Sequence, residues 1–383
     1  MTGAGIHIVV NEGRQTAIRS DRPVHAARVF AGKAPGTALR LLPMLFSVCG
    51  LAQATAGTHA LKAALGEAHS DRVTRAHAAL VRLEIAREHL WRISMDWPRF
   101  TQHTLGSASL AAMQSLLPRS REALFDGEPF GLEPSAVSDT VALDEILSEL
   151  ERLLEQDVLG IAPGEWLALD SVSALAAYAR EAAGAVPDFL RLLHTEGWQA
   201  ACPSSPASLP ALAGDAIDKV LANGTADAFV ETPDWEGRPR ETSPLTRAAG
   251  NPLLESVTRE HGFALLARAV AAISELASTA RDVRALMAGD VEPAIHAERT
   301  NTTTGLAQVE AARGLLVHRV AIADGLVEDY RIVAPTEWNF HPAGSVTQAL
   351  AALPPADRQV AEMQAALLVT LMDPCVAWSL EVH

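Results

Sequence analysis

Residues 372–383 read MDPCVAWSLEVH and set Cys375 directly behind Asp373 and Pro374. A lone cysteine in such a place is by default a small buried apolar side chain. Its meaning therefore depends on a partner elsewhere in the chain. The other cysteines are Cys49, in FSVCGLAQATAGTH, and Cys202, in the loop-like CPSSPASLP. Cys202 reads as structurally incidental. Cys49 and Cys375 each stand where a proline-containing stretch meets a different local pattern, a junction from which a side chain projects into a shared cavity. Soft thiolates suit iron, zinc or copper(I) better than magnesium or calcium. From these residues alone, two buried structural cysteines remain the alternative.

The chain is 383 residues long, 49% hydrophobic and 20% charged, which is the composition of a folded globular protein with a sizeable core. Its net charge of −15 excludes a general binder of nucleic acid or anionic membrane. Three cysteines are too few, and odd in number, for a disulfide framework, so a reducing cytoplasm is expected. MTGAGIHIVV has no basic run ahead of its apolar residues, and LLPMLFSVCGLA is short and contains Pro43. A soluble, cytoplasmic protein is the expectation.

The pattern along the chain predicts a predominantly helical α+β protein. IHIVVNEGRQTAIRS reads as a hairpin turning at Asn11-Glu12-Gly13. Pro23, Pro35 and Pro43 predict a loop-rich approach to Cys49, and helical spacing begins near residue 50. Further helical blocks are expected over 140–222 and 246–288, with a start or kink at Asn251-Pro252. RGLLVHRVAIADGLVEDYRIVAP alternates around Asp324-Gly325, a strong hairpin signal. A last helix is predicted over about 346–371. One domain accounts for this: residues 1–50 as hairpin and first cysteine segment, 51–300 as helical body, and 301–383 as hairpin, final helix and second cysteine segment.

Common catalytic signatures are missing from the sequence: no H-E-x-x-H, P-loop, G-x-S-x-G or dinucleotide fingerprint. The thirteen histidines are scattered without metal-ligand spacing.

VCGLA and DPCVAW, in this order and near the two ends, resemble the C-G-x-C and D-P-C-x-x-C elements of the nickel–iron hydrogenase large subunit. GRPRETSPLTR and VEAARGLLVHRVAIADGLVEDYRIVAPTEWNFHP resemble two further ordered motifs of that family. The likeness covers the first fifty or so residues and nearly all of the second half, and is vague over 100–225. It implies the large-subunit fold, with a long-helix bundle and small β-hairpins. The departures then carry the function. The second cysteine of each pair, which in the enzymes bridges nickel to iron, is replaced by Ala52 and Trp378. The family's histidine position near the end is Glu381, followed by only two residues. The glutamate expected before the first motif has no clear counterpart, and His59 stands ten residues after Cys49 rather than seven.

In these respects the chain is similar to the large-subunit-like maturation proteins of the HupK/HoxV type. That resemblance implies a non-enzymatic scaffold that transiently binds an Fe(CN)2CO unit, with no nickel, and hands it to the hydrogenase large subunit. It implies Cys49 and Cys375 as metal ligands and Arg313 as donor to one cyanide. Thr336 would donate to the other, Pro335 would form an apolar wall beside carbon monoxide, and Asp373 would orient Arg313. Expected partners are maturation factors, including an iron-delivering chaperone complex, and the large subunit itself. Each residue also has a plainer reading: Arg313-Gly314 as a hairpin opening, Asp373 as a turn cap, Thr336 as a strand end. Two rival functions stay open, a degenerate hydrogenase or hydrogen sensor and a metal-free structural paralogue.

Overall fold

The structure, a computed structural model, describes residues 5–11, 15–46, 48–137, 139–353 and 357–383. Strands Gly5–Val10 and Thr16–Ser20 pair antiparallel, as the alternation of IHIVV and TAIRS requires. Of the turn between them, Glu12 and Gly13 lie outside the described residues. A third strand, Ala377–Val382, runs parallel to the first, with Gly5 opposite Ala377. The two ends of the chain therefore form one sheet. The backbone N–H of Asp21 donates to the Gly5 carbonyl at 2.9 Å, so the segment after Ser20 leaves the sheet at the edge where Cys375 enters.

The predicted loop before Cys49 is instead mostly helical. A 3-10 turn spans Ala26–Phe30 and an α-helix spans Pro35–Leu45, with Pro43 inside it. Pro35 occupies the first helical position, where its missing N–H costs nothing, and Pro43 falls in the last turn. The buried face of Ala38, Leu39 and Leu42 packs on the next helix, Gly50–Ala64, and this apolar contact outweighs the proline's local cost.

Helix Gly50–Ala64 is the axis of the site. It is built largely of small residues and is buried continuously from Ala52 to Ala64. One side lies on the four-stranded antiparallel sheet Leu326–Val333, Gly314–Ala323, Thr304–Ala311 and Ile295–Arg299, and the other contacts helix Asp71–Met95. The sheet is larger than the single hairpin expected. Its Asp324-Gly325 turn has φ of 50° and 75° between the paired Ala323 and Leu326, the two left-handed residues of a tight hairpin.

Asn251 caps helix Pro252–His261 by accepting from the Leu254 N–H at 2.9 Å. The block does not continue to 288 as one helix: Gly262, at φ 72°, breaks it, and Leu265–Ala288 follows. The last predicted helix is likewise divided, into Ser345–Ala351 and Arg358–Met372. No helix among the described residues is long and apolar enough to cross a membrane.

Candidate metal-cargo site

Four segments converge between the two sheets. Cys49 is the residue before helix Gly50–Ala64, and Cys375 lies between helix Arg358–Met372 and the last strand. Both are free thiols and partly buried. Burial, the neighbouring Cys375 thiol and the Glu84 carboxyl together push the Cys49 thiol up to about 12. The two sulfurs are thus within electrostatic reach of each other.

Thr336 is the second residue of the short helix Pro335–Asn339. Its hydroxyl donates to Cys375 Sγ at 3.2 Å and accepts from the Cys375 backbone N–H at 3.4 Å. Pro335 is buried at the first position of that helix. On Cys49 the donor is Gln53, whose Nε2 lies 3.8 Å from Sγ. Gln53 Oε1 in turn accepts from His318 Nε2 at 2.8 Å, and His318 Nδ1 accepts from the Tyr330 hydroxyl at 2.9 Å. With the histidine Nε2 protonated, every member of this buried chain is satisfied, and the Gln53 amide is fixed with its N–H toward sulfur.

Arg313 stands in the two-residue turn between the strands ending at Ala311 and beginning at Gly314. Its side chain is only 2% exposed. Nε donates to the Asp373 carbonyl at 2.7 Å, and Nη2 donates to Glu88 at 2.9 Å and to the Asp373 carboxylate at 3.2 Å. Nη1 is buried and has no hydrogen-bond partner among the described residues. Burial works against the guanidinium's charge, but Asp373, Glu88, Cys375 and Cys49 together raise its pKa above the ordinary value. Its backbone is held as well. Asn339 Nδ2 donates to the Arg313 carbonyl at 2.9 Å, and Arg247 Nη2 to the Ala312 carbonyl at 3.2 Å. The Asn339 side chain also accepts from Thr242, so GRPRETSPLTR, AARG and APTEWN are tied to one another.

Helix Asp71–Met95 supplies two carboxylates that no sequence motif marks. Glu84 caps the cysteine helix by accepting from the Leu51 and Ala52 N–H groups at 2.8 and 2.9 Å, and burial lifts its carboxyl to about 7. Glu88, one turn on, grips Arg313. The signal in RLEIAREHLWR is a line of charges, Glu84, Glu88 and Arg92, at four-residue spacing on a face that is otherwise apolar. Equally unmarked is the buried ion pair of Arg22 and Glu337, from the segment after Ser20 and from the residue next to Thr336.

Four residues of interest in the sequence have other surroundings. Cys202 is buried against the Gln364 carbonyl at 3.7 Å. His59 donates from Nε2 to His77 Nδ1 at 3.1 Å, within a cluster of His59, His69 and His77 closed by Phe125 and Phe130. Trp378 packs under Arg99, whose guanidinium carbon is 5.2 Å from the indole ring. Ala52, at the other position vacated by cysteine, is fully buried in apolar core.

Comparison with known proteins accords with this architecture. The family model described as nickel-dependent hydrogenase matches residues 256–383. The hydrogenase expression/formation protein HoxV of Cupriavidus necator is 32% identical, over 96% of this chain and 93% of that protein. HupK of Azotobacter vinelandii, also a hydrogenase expression/formation protein, is 29% identical over 96% of this chain and 94% of its own. Among solved structures, the Ni-Fe-Se hydrogenase of D. vulgaris Hildenborough superimposes with a TM-score of 0.64 at 16% identity, covering 94% of this chain and 93% of that one. With two free thiols on a hydrogenase large-subunit fold and full-length likeness to HoxV, the chain belongs to the HoxV/HupK family of hydrogenase expression/formation proteins.

Proposed function

We propose that the protein is a non-catalytic scaffold in hydrogenase maturation, receiving an Fe(CN)2CO unit on Cys49 and Cys375 and releasing it to the hydrogenase large subunit. The observation that carries this reading is Nη1 of Arg313, a buried charged donor with no partner among the described residues, on a guanidinium that both thiols act on. Leaving such a donor unpaired is costly, and a cyanide nitrogen on a thiolate-bound iron is an acceptor that would meet it. Two thiolates supply two ligands, and the iron unit brings three diatomic ligands of its own. A bare ion would need more from the protein.

Binding requires both thiols to lose their protons, and the high value of Cys49 means that its proton leaves when the metal arrives. Gln53 and Thr336 each donate to one of the sulfurs and orient it. The same high thiol affinity for protons favours release, because a proton competes with iron for the sulfur. Partners consistent with this role are an iron-delivering chaperone complex and the large subunit, and a cytoplasmic location suits exchange between them.

The test is infrared spectroscopy on protein made anaerobically with the full maturation machinery. Cyanide and carbon monoxide bands are expected in the wild type and lost in Cys49→Ala and Cys375→Ala. Undiminished bands in either variant would exclude this thiolate pair as the binding site.

A further inference from the structure

We propose that Arg22, tethered by Glu337, is a positioning residue that makes the two-thiol site selective for an anionic iron–dicyanide unit over a bare divalent cation. The inference rests on the cargo-binding reading above and extends it to specificity.

The placement comes from the fold. Arg22 follows the strand Thr16–Ser20, and Asp21 is bonded to Gly5, which pairs with Ala377, two residues from Cys375. Glu337, to which Arg22 is ion-paired, directly follows Thr336, whose hydroxyl touches Cys375 Sγ at 3.2 Å. Two independent connections thus bring this guanidinium to Cys375 from a different wall than Arg313. The Arg22 side chain is 11% exposed and that of Glu337 4%. Burial alone would weaken the guanidinium's hold on its proton. Glu337, Cys375 and Cys49 more than compensate, so Arg22 stays charged within the field of both sulfurs.

The charge arithmetic of the cargo gives this cation a task. A bare divalent ion on two thiolates is neutral, whereas an iron(II) unit that adds two cyanides leaves a net charge of about −2 in a pocket of low dielectric. Such a charge needs fixed cations near it. Arg313 shares Glu88 with Arg87 and Asp373 with Arg92, so its guanidinium is fixed within a network of two carboxylates and two further cations. Arg22 faces Glu337. Both sulfurs act on the guanidinium of this pair and not on its carboxylate, so the pair turns its positive end to the site, where a dicyanide unit needs it and a neutral dithiolate–cation complex does not. The Glu337 tether fixes the guanidinium at one place, so its field reaches the cargo without loss of side-chain entropy on binding.

The experiment compares wild type, Arg22→Gln, Arg22→Lys and the double variant Arg22→Gln/Glu337→Gln. Each is made anaerobically with the maturation machinery, read by infrared bands per protein, and titrated as apo-protein with Zn2+. Arg22→Gln should lose about tenfold in retained cyanide and carbon monoxide bands while its Zn2+ affinity stays within about twofold of wild type. The double variant, which leaves no orphaned buried carboxylate, should show the same loss. Arg22→Lys should recover part of the bands with shifted cyanide frequencies, a change that a purely structural role does not produce. Unaltered band intensity and frequency in Arg22→Gln would overturn the proposal, as would bands restored in the double variant or a parallel tenfold loss of Zn2+ binding. Absence of bands from the wild type would overturn the cargo reading itself, and this inference with it.

Discussion

Arg313 makes its contacts through Nε and Nη2 and leaves Nη1 without a partner among the described residues, so the planar fork matters more than the charge. Lysine keeps the charge but cannot reach Asp373, Glu88 and a ligand together. Arg313→Lys should therefore fold yet retain about ten- to a hundredfold less of the iron unit, the equivalent of one charged hydrogen bond of about 1.5–3 kcal/mol. Infrared band intensity, normalised to protein, checks this. Undiminished retention would mean that Nη1 does not meet the cargo. Cys202→Ala offers the contrast. Its sulfur sits in the apolar core and, among the described residues, has the Gln364 carbonyl at 3.7 Å as its hydrogen-bond partner, so loss of about 1 kcal/mol in urea unfolding and full retention of both bands are expected.

At the scale of elements, the site depends on how closely the cysteine helix sits on its sheet. A Cβ added at Gly305 would lie 2.1 Å from the Ala60 carbonyl and 2.3 Å from the Ala64 nitrogen, both backbone atoms that cannot turn aside. Gly305→Ala should destabilise the protein by about 1–3 kcal/mol through overpacking. Because Cys49 leads into that helix, retention of the iron unit should fall as well. Urea unfolding and infrared spectra on the same preparation measure both effects. Gly314 fixes the turn that carries Arg313 in the same way: its φ is 130°, and a Cβ there would meet the Thr242 carbonyl at 2.2 Å.

Across the whole molecule, buried histidines set the pH dependence. Burial lowers His69 and His77 from 6.5 to about 4. The unfolded chain takes up these protons near pH 6.5 while the folded cluster refuses them, so the stability they contribute is complete above that pH and is lost as pH falls toward 4. Glu84 acts with the opposite sign, since its carboxyl is lifted from 4.5 to about 7 and its contribution declines as pH rises through that interval. The difference between wild type and His77→Asn isolates the histidine part. The variant should lose stability less steeply between pH 7 and 5, and equal slopes in urea unfolding would exclude the cluster as the cause. Metal content is a second property of the whole. With Ala52 and Trp378 in place of bridging thiolates, purified protein should carry iron well above nickel by elemental analysis, and stoichiometric nickel would contradict the two-thiolate site.

Much of this was legible in the sequence because it depends on local chemistry or on short ordered motifs. Asp324-Gly325 dictates a tight hairpin through two left-handed residues, and Asn251-Pro252 starts a helix through a cap and a preset φ. The segments around Cys49, Arg313, Thr336 and Cys375 determined the family and the helical large-subunit fold. Local signals failed where distant contacts outweighed them. Prolines 35 and 43 announce a loop, but the apolar face of Ala38, Leu39 and Leu42 had a helix to pack on. Glu84 and Glu88 look like the charges of a solvated helix until Leu51, Ala52 and Arg313 are brought against them. The pairing of Ala377–Val382 with Gly5–Val10, and the meeting of Arg22 with Glu337, leave no trace in either segment read by itself. Hydrogen-bond partners and buried charges are chosen by what the fold carries past them, so tertiary structure alone decided what surrounds the two thiols that the sequence had singled out as candidates.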